Sequence, residues 1–209
     1  MDVGELLRRQ VTEVQTEYSL RSGIKKLTPI QNKVSKIVQR QYEENPYPRW
    51  IKIGLKEKPR TIRQVLKEAN MHLHLDTQQF SNRPDILIAG CGTGQHALII
   101  ASKFLNCKVL AIDLSLNSLS YAMRKTQELG ITNIEYMQAD ILKLNLLKSQ
   151  FDIIESVGVL HHMDDPIAGW KVLVDRLRPG GLMMIGLYSE IARQHLIELR
   201  EHIRKKEYT

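Results

Sequence analysis

The stretch Ile86-Leu87-Ile88-Ala89-Gly90-Cys91-Gly92-Thr93-Gly94-Gln95-His96-Ala97-Leu98-Ile99-Ile100 decides how the rest of the chain is read. An unbroken apolar run, too short to span a membrane, breaks into glycines at alternate positions and resumes at helical spacing. That pattern predicts buried strand, tight turn and helix. Gly90, Gly92 and Gly94 lack the Cβ atoms that would hold a ligand off the backbone, and they allow positive φ where the chain reverses. A helix opening near Gly94 and Gln95 leaves unpaired N–H groups and a partial positive charge facing the crevice above the strand. The turn is expected to hold a nucleotide, although a glycine cluster alone also suits a strand-to-helix turn with no ligand.

Two further strands narrow the choice. Val109-Leu110-Ala111-Ile112-Asp113 is apolar and ends in a carboxylate about 20 residues beyond the glycines, where such folds hold a ribose through its hydroxyls. Asn133-Ile134-Glu135-Tyr136-Met137-Gln138-Ala139-Asp140-Ile141 ends in a second carboxylate, placed to accept a bond from an exocyclic amine. A glycine turn and two strand-end acids together match an adenosine. Strands at 86–90, 109–113, 134–138, 152–156 and 182–188 alternate with helices at 94–105, 116–129 and 165–177, the second closed by Gly130. This order predicts an α/β fold: a Rossmann-like, mostly parallel sheet with helices on both faces and a crevice at the strand C-terminal ends.

Five segments in order carry a resemblance: Gly90-Cys91-Gly92-Thr93-Gly94; Ile112-Asp113-Leu114-Ser115; Gln138-Ala139-Asp140; Phe151-Asp152-Ile153-Ile154-Glu155-Ser156; and Leu177-Arg178-Pro179-Gly180-Gly181. Together they resemble the motif set of class I S-adenosylmethionine-dependent methyltransferases, over residues 84 to 188. The resemblance implies S-adenosylmethionine as cofactor. The methionine part would lie on the glycine turn (Ala89, Gly90, Cys91, Gly92, Thr93, Gly94, Gln95), the ribose on Asp113 with Leu114 and Ser115, and the adenine on Asp140 with Ile141. Ser156 closes the fourth strand beside them. Many members carry an acid two places before the first glycine, where this chain has Ile88, so the bracing of the loop and the neutralisation of the ligand's ammonium are open.

Outward from this core, residues 1–80 are expected to form a helical cap and residues 81–209 the binding core. Asp2 and Glu5 suit the start of a helix through Leu20, with a break at Ser22-Gly23. Thr28-Pro29 suits the start of a second, with Ile30, Val34, Ile37 and Val38 on one face to about Gln41. The segment Tyr42-Glu43-Glu44-Asn45-Pro46-Tyr47-Pro48-Arg49-Trp50 is non-helical because two prolines restrict themselves and their predecessors. It resembles a signature of bacterial methyltransferase domains attached to tetratricopeptide repeats. Tyr42, Tyr47, Arg49 and Trp50 form either a lid over the methyl donor or a staple that fixes the cap to the core. Asn45-Pro46-Tyr47 lacks the second proline of the amino-methylating site of nucleic-acid enzymes and precedes the glycine turn, so that reading is set aside. Thr61 starts a helix to Leu73, and His72 and His74 face different ways on it.

Beyond the fourth strand lies Val157-Gly158-Val159-Leu160-His161-His162-Met163-Asp164-Asp165. His161 or His162 is placed to take a proton from an attacking oxygen or nitrogen. The alternative is a loop that shapes the pocket while proximity and alignment do the catalysis. No metal site is expected, because adjacent side chains diverge.

The formal charge of +7 is spread among acidic residues on helices, with no basic and aromatic stripe. A nucleic-acid partner is therefore not expected, and the acceptor is read as a small molecule or a protein side chain. Cys91 and Cys107 suit small buried residues in a reducing compartment, and the absence of a signal or spanning segment adds a cytoplasmic location with no membrane partner. Ile191 to Arg204 reads as an amphipathic helix, and the two strands the family usually adds after it are missing. The strand at 182–187 should then be an exposed apolar edge, covered by the remainder of a longer chain or by a second copy in a homodimer. Two alternatives to methyl transfer are a nicotinamide oxidoreductase, disfavoured by Gln95 where its third glycine should fall, and a non-catalytic binding module on the same fold.

Overall fold

The computed structural model describes residues 2–55, 58–69, 81–189 and 191–205. The expectations for His72 and His74, and for the end of the helix begun at Thr61, lie outside the described residues. Six strands form one sheet in the order β1-β4-β3-β2-β5-β6, all neighbours parallel: β1 Lys25–Lys26, β2 Asp85–Ala89, β3 Lys108–Asp113, β4 Ile134–Gln138, β5 Phe151–Val157 and β6 Leu177–Gly186. The chain winds outward from β2 to β3 and β4, then crosses over to β5. The reversal opens a crevice between β2 and β5 at their C-terminal ends.

Successive side chains of β2 point to opposite faces of the sheet. Ile86 and Ile88 join one core with Ala97 and Ile100 of α5 (Gln95–Lys103) and Leu119 and Ala122 of α6 (Leu116–Glu128), reinforced by Ile62 and Leu66 of the short helix Ile62–Glu68. Leu87 and Ala89 join the other with Ile141, Leu144, Leu160 and Leu173, the last on the helix Pro166–Asp175. Burial on both faces is why β2 reads as a continuous apolar run rather than an alternating one.

Element ends differ from the sequence reading where side chains or pairing intervene. The helix expected from Thr28 starts at Lys33: Leu27 N–H still donates to Gln138 O of the sheet (2.9 Å), and Asn32, not Thr28, caps the helix by accepting from Ser35 N–H (2.9 Å). The last strand begins at Leu177 rather than 182, because Leu177 already pairs with Phe151 across an irregular register. Strand β1 went unpredicted, since two lysines carry no strand pattern. The sheet ends on β6 on one side, with Met184 and Leu187 exposed, and the amphipathic helix expected after Ile191 spans Gln194–Lys205.

The N-terminal region is held by charge. A helical run passes from Val3–Leu7 through a π-helical turn, Arg8–Thr12, into Glu13–Leu20. There Glu13 and Glu17 pair with the buried Arg124 of α6 at 3.1 and 2.9 Å, and Arg49 donates to both oxygens of Glu17 at 3.0 and 3.2 Å. The Arg49 and Arg124 guanidinium groups both lie over the Tyr121 ring, 4.7 and 5.0 Å from its centroid. Among the described residues, no helix is long and apolar enough to cross a membrane.

Candidate functional site

The three glycines do different work. A Cβ at Gly94, where φ is +83°, would lie 2.5 Å from the Ala122 Cβ, so this glycine lets α5 close on α6. A Cβ at Gly90 would overlap Val159 of the loop after β5. Gly92 (φ +52°) has only the Tyr47 carbonyl within reach, at 3.7 Å, so its backbone faces open space. That space is a cavity of about 370 Å³ at the C-terminal ends of β2–β5.

Asp113, at the end of β3, turns its carboxylate under the glycine turn. Its Oδ2 accepts from Gly92 N–H (2.8 Å) and its Oδ1 from Ser115 N–H (2.9 Å). Burial pushes its pKa up, and Glu43 adds to this, while the N–H groups of Ser115, Gly92 and Leu114 pull it back. Each oxygen keeps acceptor capacity beyond those two bonds. Asp140 is buried, and its Oδ1 holds Leu142 N–H at 3.0 Å as cap of the 3-10 turn Ile141–Leu146. Both acids line the cavity. So do Gly90, Cys91, Gly92, Thr93, Gln95, Leu114, Ile141, Tyr42, Tyr47 and His162. Burial and the neighbouring Asp113 raise the Cys91 thiol well above its ordinary pKa, so it stays a packed S–H rather than a nucleophile.

Other residues expected at the site are placed beside it. Ala89 is fully buried in the core, with its carbonyl accepting from Ser156 Oγ at 3.0 Å. Gly94 packs against α6 as described. Ser115 caps α6, accepting from Ser118 N–H at 3.0 Å. Arg49 is engaged with Glu17, and Trp50 is buried against Leu98 and Tyr121 while its Nε1–H donates to Thr93 O at 3.1 Å. The aromatic segment therefore divides: Tyr42, Tyr47 and Pro48 face the cavity, whereas Trp50 anchors the segment to the core. Thr93 Oγ1 donates to Pro48 O at 2.6 Å, which ties the segment to the glycine turn.

One wall of the cavity is aromatic. The His162 ring meets Tyr42 edge-on at 6.3 Å, and His161 stacks between His162 and Tyr188 at 4.3 and 3.9 Å. Of the two histidines, His162 is the one that lines the cavity. Burial first, then Asp113 and Tyr188, raises the Tyr42 pKa, so at neutral pH it remains a phenol able to donate.

The sequence reading missed three contributions. Val34, Ser35 and Val38 of the helix Lys33–Glu44 line the cavity, a face that periodicity marked as apolar without naming what it covers. Glu43 accepts from Leu116 N–H (2.8 Å) and Asn117 N–H (2.9 Å), and so caps α6 from 73 residues away. His96 lines the cavity and hydrogen-bonds the buried Glu155 of β5. No local signal could have found the last two, because each joins segments distant in the chain.

Residues 86–181 match the model of a methyltransferase domain. An uncharacterised protein of Synechococcus is 38% identical over 122 residues, 58% of this chain and 29% of that one. Phosphoethanolamine N-methyltransferase 1 of Arabidopsis thaliana is 30% identical over 123 residues, 59% of this chain and 25% of that one. Among solved structures, PKMT2 of Rickettsia typhi in complex with AdoHcy superposes with a TM-score of 0.54 at 23% identity, covering 59% of this chain and 24% of that one. The chain thus spans about a quarter of the length of these proteins, and the structural likeness lies in the fold.

Proposed function

We propose that this chain, whose residues 86–181 match a methyltransferase domain, is a class I S-adenosylmethionine-dependent methyltransferase whose cavity binds S-adenosylmethionine and directs methyl transfer to a small-molecule or protein-side-chain nucleophile. The observation that carries this reading is that Asp113, Asp140 and the open backbone of Gly92 face one cavity. Asp113 accepts both ribose hydroxyls with the acceptor capacity its backbone partners leave. Asp140 accepts the adenine amine, its other oxygen being fixed by Leu142. The bound ligand supplies a sulfonium methyl, electrophilic because sulfur departs as a neutral thioether.

The protein's part is placement. Gly92 lets the backbone approach the ligand, and the aromatic wall of Tyr42, His162 and Tyr188 meets the acceptor. Holding the two reactants in line supplies most of the acceleration in a reaction of this kind. His162 takes the proton that the attacking atom loses on methylation, and Tyr42, kept protonated, donates to a polar atom of the acceptor molecule other than the attacking one, whose lone pair stays free. A nitrogen acceptor is supported by the likeness to a plant N-methyltransferase, and a wall of tyrosine and histidine rings suits an amine.

Calorimetric titration with S-adenosylmethionine, S-adenosylhomocysteine and NAD tests the cofactor. Saturable binding of the first two and not the third is expected. Asp113→Ala should weaken both by well over tenfold, the loss of a charged acceptor shared by two hydroxyls. Binding of NAD alone, or unchanged affinity in the variant, would overturn the assignment.

A further inference from the structure

β5 contributes a carboxylate to the middle of an apolar sheet. Glu155 lies two residues after Ile153, on the same face, and its register partner on β2 is Ile88, so it sits among Ile86, Ile88 and Ile153 with a side chain only 7% exposed. An ionised group there is costly unless it is hydrogen-bonded. Its partner is the Nε2 of His96, the second residue of α5, whose side chain is 36% exposed and forms part of the cavity lining. A carboxylate only accepts, so it keeps the imidazole proton on Nε2 and leaves Nδ1 as an acceptor.

The position of this pair in the sheet suggests its use. In the order β4-β3-β2-β5, the acids that face the cavity from strand ends, Asp140 and Asp113, belong to β4 and β3. His96 and Glu155 belong to the other side of the reversal, above β2 and β5. A ligand laid across the crevice with its adenosine on Asp113 and Asp140 carries its amino-acid tail to the β2–β5 side. That tail bears an ammonium, a cation with three hydrogens to donate and a charge to balance.

We propose that His96, oriented by Glu155, receives the ammonium of the ligand's amino-acid tail, whose charge Glu155 balances. The inference rests on the adenosine reading of the cavity. His96 is a binding residue in it and Glu155 a positioning residue. The charge that an acid on β2 would bring is delivered from the adjacent strand, at the same level and on the same face as Ile88.

The test compares two ligands that share the adenosine and the thioether: S-adenosylhomocysteine, which has the amino-acid tail, and 5′-methylthioadenosine, which lacks it. Calorimetry is run on the intact chain and on Glu155→Gln, His96→Ala and the double variant, with circular dichroism to verify folding. Each single variant should lose about tenfold or more in affinity for S-adenosylhomocysteine, with methylthioadenosine unchanged. The double variant should lose little more than either single, since the two act as a unit. Equal losses for both ligands would overturn the proposal and make the pair a structural tie between α5 and β5. No loss for either would overturn it as well. If Glu155→Gln does not fold, His96→Ala alone still decides. Failure of the unaltered chain to bind either ligand would instead remove the adenosine reading, and this inference with it.

Discussion

On one side of the cavity, the glycine turn rests on Leu87, Ala89 and Ile112, none of which exposes any surface. On the other, the cover formed by residues 33–50 is fastened by side-chain hydrogen bonds: Glu43 to the start of α6, Gln39 Nε2–H to Leu114 O (3.1 Å), and Arg49 to Glu17. Apolar burial is non-directional, and each large side chain it removes from water contributes about 2 kcal/mol. Charged hydrogen bonds are directional, respond to pH, and are lost one by one when a partner is removed. The contrast teaches that the apolar half presents the backbone to the cavity, while the polar half is fastened by contacts that local opening can break without unfolding the sheet.

The strongest challenge to the apolar half is Gly94→Val. The added side chain meets Ala122 and the Tyr136 hydroxyl, and it must adopt a φ of +83°. Strain and overpacking together should cost about 3 kcal/mol or more, read as a lower urea midpoint of global unfolding. A stable Gly94→Val chain would mean that α5 and α6 can separate, and the rigid-wall half of the comparison would fall.

The polar half is tested by Glu17→Ala. This removes one partner from the buried Arg124 and the anchor of Arg49, and should cost about 2 kcal/mol. More diagnostic is hydrogen exchange: the amides at the end of the cover helix through Asn45, which donates to Gln41 O at 3.0 Å, should lose protection, while those of β2 keep theirs. Equal loss in both would show that cover and sheet open as one unit.

The smallest expected effect is a pH response, in which Glu128 at the end of α6 and Asp113 at the end of β3 differ in sign. The Glu128 pKa is lowered by its bonds to Lys125 and Arg124, which overcome the opposing effect of burial. The folded state therefore binds this proton more weakly than the unfolded one. Its stabilisation is fully present above the ordinary pKa of 4.5 and is lost as pH falls through the lowered value. Asp113 has the opposite sign: its raised pKa makes its ionised form a cost to the fold, one that fades as pH falls through that value toward 3.8. Urea unfolding of Glu128→Gln should show a deficit against the parent chain at neutral pH that closes in acid. A deficit independent of pH would mean that the carboxylate's charge contributes nothing to the stability of the fold.

How much of this was legible beforehand depends on the range of the interaction. The strands 86–90 and 109–113 could be read within one residue of their structural limits because burial on both faces leaves an uninterrupted apolar run. Asp113 was legible as a strand-end acid for the same reason: a carboxylate closing an apolar run marks where the strand ends. Glu43 was not, since a glutamate in a polar loop looks the same whether it caps a distant helix or faces water. Trp50 could be read both ways, because an aromatic beside prolines suits a lid as well as an anchor, and only the proximity of the Thr93 carbonyl distinguishes them.

Local periodicity, turn chemistry and motif order, all properties of neighbouring residues, determined by themselves that this chain would wind a parallel sheet around a glycine turn and set two acids at its rim. The tertiary structure alone decided which glycine opens onto the cavity and which helix ends are capped from afar. It also placed a carboxylate on β5 at the level of Ile88 on β2. These depend on distances between segments 40 to 110 residues apart, and a linear pattern carries no information about them until burial has fixed the register.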